Sequence, residues 1–533
     1  MHDPILQPPA SSFFAGRHYI STEIRVILLV NPGCFRGIHV IDLAHTVSVA
    51  RGSSIYPSIP PYSPGIAWPE YSRIHDAAGE IPNDAYSSVR ESFRLLRLDE
   101  RNFGSPSWNP LKGIVLPGDK VIIKPNFVRD FRESDLNDGD CLITHGSVIR
   151  AVIDYVFLAL GGDGRIVIAD APQNDADFLK ISKITCLESI CMHYKKKLNF
   201  PIEVIDLRQE TAKKIDGVIV GHTPLRGDPS GYVKVNLGER SVFAEIESLC
   251  TKLYGAEYER SEIVAHHTGG KHEYLISKTI LEADCLINIP KLKTHKKTGL
   301  TANLKNLVGI NGDKNWLPHH RLGTPKQGGD EFNEDSLLRV VEQVFVEKFK
   351  QVFPALGKYR SAVAASIKYV GKKVFGDTNV DTVRSGNWYG NDTTWRMVLD
   401  LNRILQYADV NGNIQENKVR RFFSVVDGII AGEGNGPLDP TPKQAGLIIS
   451  GKNPVAVDIV CSRLMGFDHR KIPMLRKALE LNSLPIAEFS MEDLTVCSND
   501  PSLNCLFIDL HGQLLSFRPH FGWKGNIEWI EQR

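Results

Sequence analysis

From Leu116 onward the chain alternates short apolar runs with longer amphipathic stretches, and each apolar run closes on a few polar residues. Val121 to Val128 (VIIKPNFV) follows a Pro-Gly-Asp-Lys turn at 117–120 and predicts a buried strand carrying Lys124, Pro125 and Asn126 at its end. In ITHGSVIRAVIDYVFLALGG, Val148, Val152, Val156 and Leu160 form a helical stripe, with Thr144 as N-cap and Gly161 with Gly162 as C-cap. Arg165 to Pro172 (RIVIADAP) is a second strand, ending at Asp170. Strand, helix, strand is a βαβ unit, which implies a parallel sheet covered by helices. The pattern returns as strands at Pro201–Leu207, at DCLINIP (284–290), at RRFFSVVDGIIAGEGNGP, which opens into a Gly-rich loop, and at Ala445–Gly451. Helices are expected over Tyr274–Ala283 and Asn453–Phe467, the latter starting at Asn-Pro. The fold class is therefore α/β, a mostly parallel sheet of βαβ units flanked by helices. Ligands in such sheets bind beyond the carboxyl ends of the strands. Those ends present Lys124, Asn126, Asp170, Lys291 to His295, and Asp427.

The pattern also divides the chain. Residues 1–114 read as a Pro-, Ser- and Tyr-rich wrap with one strand, RVILLV at 25–30. The α/β core occupies 115–330 and 421–475, interrupted by a helical insertion at 331–420 and followed by an extension at 476–533. Within the insertion, Lys348, Lys350, Lys358, Arg360, Lys368, Lys372 and Lys373 have no acidic neighbour from 348 to 376. Pro354 and Gly357 break that stretch, so a solvated helix face is the favoured reading over a patch for lipid headgroups. Gly386 to Leu405 pairs a polar-aromatic loop with an amphipathic helix, a composition suited to lining a cleft.

Composition narrows the function classes. With 533 residues, 42% of them hydrophobic, the chain can bury a large core. Its 63 Lys and Arg balance 62 Asp and Glu, so no overall field draws it to nucleic acid or anionic membrane. The nine cysteines include no C-x-x-C pair, which predicts a reduced, cytoplasmic protein without an iron–sulfur cluster. No apolar run reaches the length of a membrane span.

The segment Cys285 to Asp330 is too polar for core: K-L-K-T-H (Lys291 to His295), Lys305, His319 and His320 follow one apolar run. A histidine among lysines stays neutral near pH 7 and can serve as base or metal ligand. Crowded lysines lose basicity, so one can become a nucleophile or covalent anchor. A cluster that only binds a phosphate or carboxylate fits the same residues equally well. In DGIIAGEGNGPLD, Gly428, Gly432 and Gly434 would let a cofactor approach the backbone, while Asp427 and Glu433 could hold a hard cation, and a merely structural loop fits the same residues equally well. HHTGGKHEY (His266 to Tyr274) offers three histidines, but without an i, i+4 pair on a helix it fits a surface loop better than a metal site. Asp458, inside the apolar VAVDIV, reads as a buried polar anchor for a neighbouring strand or loop.

PKLKTHKKTGLTANLKNLVGI, DGIIAGEGNGPLDP, LIISGKNPVAVDIVCSRLMGF, VIIKPNFV and ITHGSVIRAVIDYV together resemble the DUF362 family, in order from Val115 to Leu475. That family's function is mostly unassigned. More distantly, H-x3-G-x5-K-x3-G from His295 is similar to the nickel-pincer lactate racemases. That resemblance implies His295 as proton-transfer base, Lys305 as cofactor-anchoring amine and His320 as metal ligand. The racemases place a further histidine after the strand matching RIVIADAP, where this chain has Asp170. The combined expectation is an enzyme for proton or hydride transfer on a small anionic hydroxy acid or sugar acid, with a divalent metal as candidate cofactor. Its catalytic residues would be His295, Lys305 and Asp170, and its metal ligands His319, His320, Asp427 and Glu433. Substrate would meet Lys124, Asn126, Lys291, Lys293, Asn303, Asn306, Trp316 and Arg321. A non-catalytic module for an anionic sugar or nucleotide, or an accessory protein acting through the basic insertion, is the alternative, and self-association stays open.

Overall fold

The computed structural model describes residues 45–73, 82–134, 140–215, 218–255, 260–334, 382–511 and 515–530. The expected strand at 25–30 and the basic stretch at 348–376 lie outside them.

An 11-stranded sheet dominates. Its strands are β1 (Thr46–Arg51), β2 (Lys120–Pro125), β3 (Arg165–Asp170), β4 (Glu203–Asp206), β5 (Cys285–Ile289) and β6 (Lys291–His295). They are joined by β7 (Gly299–Thr301), β8 (Arg421–Glu433), β9 (Thr441–Gly451), β10 (Thr495–Ser498) and β11 (Cys505–Leu506). The order is β11-β10-β1-β9-β8-β5-β2-β3-β4, with β6 pairing β8 and β7. The run β8-β5-β2-β3-β4 is parallel throughout. Strand β9 is antiparallel to both its neighbours, β8 and β1.

Both faces are buried because successive side chains of each strand point to opposite sides. Val121, Ile123, Ile166, Ile168, Cys285 and Ile287 pack with helices α1 (Asp84–Leu95) and α2 (Gly146–Leu160). Ile122, Val167, Ala169 and Leu286 face the other way, with the short helix α3 (Asn303–Asn306), α4 (Thr394–Tyr407) and α5 (Pro454–Leu464).

Several local readings change. Helix α2 is capped by His145, whose Nδ1 accepts the Ser147 N–H at 3.1 Å, and Gly161 ends it at φ +63°. Thr144 instead stitches two strand ends: its hydroxyl accepts the Asn126 N–H at 2.9 Å and donates to Ile289 O at 2.6 Å. Residues 274–283 are mainly not helix but a strand, Glu273–Ser277, paired with Tyr232–Asn236 and followed by one turn, Lys278–Leu281. Tyr274 and Ile276 alternate into the core there, a period of two that outweighs the local helical spacing. The Gly-rich segment is no open loop, since β8 continues to Glu433 and turns back antiparallel as β9, with Asp427 opposite Ile448 and Glu433 opposite Thr441. At Asn453-Pro454 the reading holds: Asn453 accepts the Val455 and Ala456 N–H groups and Pro454 opens α5. Residues from 476 onward supply β10 and β11, which complete one side of the sheet with β11 at its edge.

Candidate functional site

Strand order brings the carboxyl ends of β2, β3, β5 and the middle of β8 to one rim. Asn288 stands opposite both Lys124 and Ser424. Pro290 interrupts β5, its carbonyl accepting the Asp427 N–H, and the chain resumes as β6 with Lys291 opposite Asp427 and Lys293 opposite Gly432. Lys291 and Lys293 are two apart, share a face and are fully buried. Lys291 donates to Asp427 at 2.7 Å and to the Tyr56 hydroxyl at 2.8 Å, and that hydroxyl donates to the other Asp427 oxygen at 2.6 Å. The His145 N–H adds a bond to Asp427 at 3.0 Å, and the Tyr56 ring stacks on His145 with centroids 4.0 Å apart. Asp427 is thus enclosed by donors. Lys293 gives its amine to Leu142 O at 2.5 Å, and burial drives it well below the ordinary lysine value.

The second buried pair is Lys124 with Asp170, 2.6 Å apart, and the other Asp170 oxygen accepts the Phe127 N–H at 2.7 Å. Asn306 lies between the strands: its amide nitrogen donates to Asn288 at 2.8 Å, and its oxygen accepts from Asn126 at 2.9 Å. Asn288 in turn donates to the Asn303 carbonyl at 3.1 Å. Helix α3 starts without a cap of its own; Asp458 reaches across from α5 and accepts the Asn303 and Leu304 N–H groups at 2.8 and 3.0 Å. The anchor read into Asp458 is this contact.

Helix α3 carries Lys305 into a group of cations. Lys305 is half-buried and makes no hydrogen bond or ion pair with any described residue. Burial, and then Lys314 and Lys124, lower it to about 7. Lys297, whose amine donates to His319 O at 3.3 Å, is lowered to about 7 by burial and Lys296. Lys314 donates to Ala171 O at 2.8 Å and is lowered by burial to about 8. His295 and His319 are held neutral, far below the usual imidazole range, by burial first; Lys305 is the next cause for His295, Lys297 for His319.

Their tautomers differ. His295 Nδ1 accepts the Lys297 and Thr298 N–H groups at 3.1 and 3.2 Å, so the neutral ring carries its proton on Nε2. His319 Nδ1 faces Leu317 O at 2.8 Å and must donate, which leaves a lone pair on Nε2. One ring offers a donor, the other an acceptor.

Other expected residues lie elsewhere or are engaged. Trp316 stacks on His266, centroids 3.3 Å apart, beside the helix Arg260–His266. Arg321 spends its guanidinium on Gly328 O, Asp392 and Thr393. Glu433 accepts from Arg518 Nε at 2.8 Å and from its backbone N–H at 3.0 Å. His320 stacks on Tyr254. Among the described residues, the ligand atoms of His319, His320, Asp427 and Glu433 do not come together closely enough to share an ion, whereas one each from Glu247, Cys250 and His272 lie within 4.8 Å of one another. The glycines of β8 serve packing: a Cβ on Gly432 would stand 2.8 Å from Pro440 Cβ and 2.9 Å from Cys141 O. Tyr56, Lys297 and Lys314 were missed. Lys297 and Lys314 sat inside the polar segment, but nothing in the sequence tied Tyr56 to Asp427.

The rim residues from β5 onward fall inside a recognisable domain. Residues 202–463 match DUF362, a domain of unknown function. The DUF362 match includes Lys291 to His319, Asp427 and Asp458, whereas Tyr56, Lys124 and Asp170 come from sequence before it. A protein named thylakoid-associated protein, from Synechocystis sp., is 22% identical over 285 residues, which is 53% of this chain and 61% of that protein. The chain thus spans about three fifths of that relative's length. Neither match is to a lactate racemase, so that resemblance rests on the spacing of His295 and Lys305. Among the described residues no helix is long and apolar enough to cross a membrane.

Proposed function

We propose that this DUF362-domain protein is an enzyme that moves a proton at a carbon bearing oxygen in a small carboxylate, a hydroxy acid or sugar acid, with Lys305 as the proton carrier. The observation that carries the reading is Lys305: a half-buried amine without a partner among the described residues, brought to about 7 by burial and neighbouring cations. A base poised near the working pH is the most effective proton shuttle. Lys297 and Lys314 each use one donor on a backbone carbonyl, and an ammonium has three, so both keep donors for the substrate carboxylate. An anion bound there offsets the crowding of like charges. His295 takes a role opposite to the expected base: its Nε2–H is a neutral donor for oxygen charge developing in the transition state. His319 Nε2 accepts a hydrogen bond from the substrate hydroxyl. The Lys124–Asp170 and Lys291–Asp427 pairs hold the rim's shape rather than contacting substrate.

The test is loss of the C–H signal of small hydroxy and sugar acids in D2O, followed by proton NMR. Wild-type protein exchanges at least one of them, and Lys305→Met slows exchange by about 100-fold or more. Equal exchange by wild type and Lys305→Met would remove Lys305 from the chemistry.

The relative's name favours a second reading, an accessory role at a membrane surface through the basic residues from Lys348 to Lys373. Loss of liposome binding when those are neutralised, with Lys305 and His295 dispensable, would support it.

A further inference from the structure

The histidine-rich loop does not behave as a surface loop. His267 and His272 are buried, with His272 1% exposed. The His272 backbone N–H is fixed by Asn236 at 3.0 Å, and its ring stacks against Phe243. Among the described residues neither ring nitrogen of His272 has a hydrogen-bonding partner. Glu247 Oε2 stands 3.1 Å from Nε2, at ion-pair distance but off the direction a hydrogen bond needs, and that oxygen too is buried without a hydrogen bond. Leaving such buried groups without hydrogen bonds is costly, so an orphan of this kind asks for a missing partner.

A third group completes the set. Cys250 and Glu247 lie three residues apart on the 3-10 helix Ala244–Lys252, where positions i and i+3 eclipse and so share a side. Cys250 is a free, fully buried thiol. Its sulfur, a Glu247 oxygen and a His272 nitrogen all lie within 4.8 Å of one another. The other Glu247 oxygen is held by the Gly270 N–H at 3.0 Å, which fixes the carboxylate and leaves Oε2 for the site. Asp400, buried and within electrostatic reach of His272 and Cys250, is itself taken up by the Ser241 hydroxyl, the Val242 N–H and the Tyr274 hydroxyl. The cations that also reach Cys250 are already paired, Arg321 with Asp392 at 3.1 Å and Arg396 with Glu245 at 2.9 Å.

We propose that Glu247, Cys250 and His272 form a binding site for one zinc-class divalent cation, held by sulfur, nitrogen and oxygen with water as the fourth ligand. Thiolate, imidazole and carboxylate on a tetrahedral ion is a zinc preference, and a hard cation such as magnesium or calcium would avoid the sulfur. The ion would fasten the loop at 267–272 to the 3-10 helix, filling the partner that His272 lacks. The site is built from residues unrelated to the roles of Lys305 and His295, so it stands or falls independently of the proposed reaction.

The experiment titrates chelator-treated full-length protein with zinc by calorimetry and with cobalt(II) by absorption spectroscopy. The expected result is one ion per chain, with cobalt giving a thiolate-to-metal charge-transfer band in the near ultraviolet. Cys250→Ser loses that band, and Glu247→Gln, a change at a partly exposed side chain, weakens zinc binding by more than about tenfold. Circular dichroism of each metal-free variant establishes that it is folded. If a variant fails to fold, the wild-type spectrum and stoichiometry still decide. Absence of stoichiometric zinc binding, or a charge-transfer band that survives Cys250→Ser, would overturn the site and leave Glu247 and His272 as a simple ion pair.

Discussion

Lys293, fully buried, and Lys305, half-buried, show how context separates two lysines of one segment. Among the described residues Lys293 has a carbonyl to bond and no ion partner; Lys305 has neither, and faces cations. The sign of the resulting pH dependence follows directly. Folding lowers Lys297 and Lys305 to about 7 and Lys314 to about 8. An unfolded lysine keeps its proton to roughly pH 10, so between about pH 7 and 10 the unfolded chain binds more protons and stability rises with pH. Melting temperatures at pH 7 and pH 9 in phosphate-free buffer should show that rise, and Lys305→Met should flatten it. The two histidines give a sharper check. Nitrogen-15 NMR should find His295 protonated on Nε2 and His319 on Nδ1 throughout pH 6 to 8, with neither ring becoming cationic. A titrating, doubly protonated His295 in that range would contradict the donor role assigned to it.

At the scale of elements, the short helix α3 cannot cap itself, and Asp458 does it from α5. Asp458→Ala strands two buried N–H groups and should cost about 3 kcal/mol in urea unfolding, more than Asp458→Asn, which keeps one acceptor. Gly432→Ala should cost about 1–3 kcal/mol through overpacking against Pro440 and Cys141 without touching any catalytic group. The parallel strands were legible because their apolar runs are unbroken and end on the residues that form the rim. Residues 273–277 were not, because a five-residue strand between Gly pairs and a helical turn offers too few positions for its period to show. The glycines of β8 misled for another reason: they admit neighbouring backbone, Leu447 O at Gly428 and Cys141 O at Gly432, where a ligand was expected.

For the whole molecule, sequence supplied the class and the rim but not the order of strands. Nothing local announces that β1 lies between β9 and β10, or that Tyr56 meets Asp427 across 371 residues. Such pairings are set by burial of both sheet faces at once. The expected metal set does not come together among the described residues on the same ground, since Glu433 finds Arg518 from another part of the chain, as the expected substrate contact Arg321 finds Asp392. What comes together instead is a group of lysines and histidines around Lys305, an amine with no partner among the described residues. Competitive acylation of the lysines as a function of pH, read peptide by peptide by mass spectrometry, tests that convergence most directly. Lys305 should react with a midpoint near 7, far below surface lysines near 10, and millimolar D- or L-lactate should protect it. A Lys305 that labels like the surface lysines, with or without the carboxylate, would contradict the account.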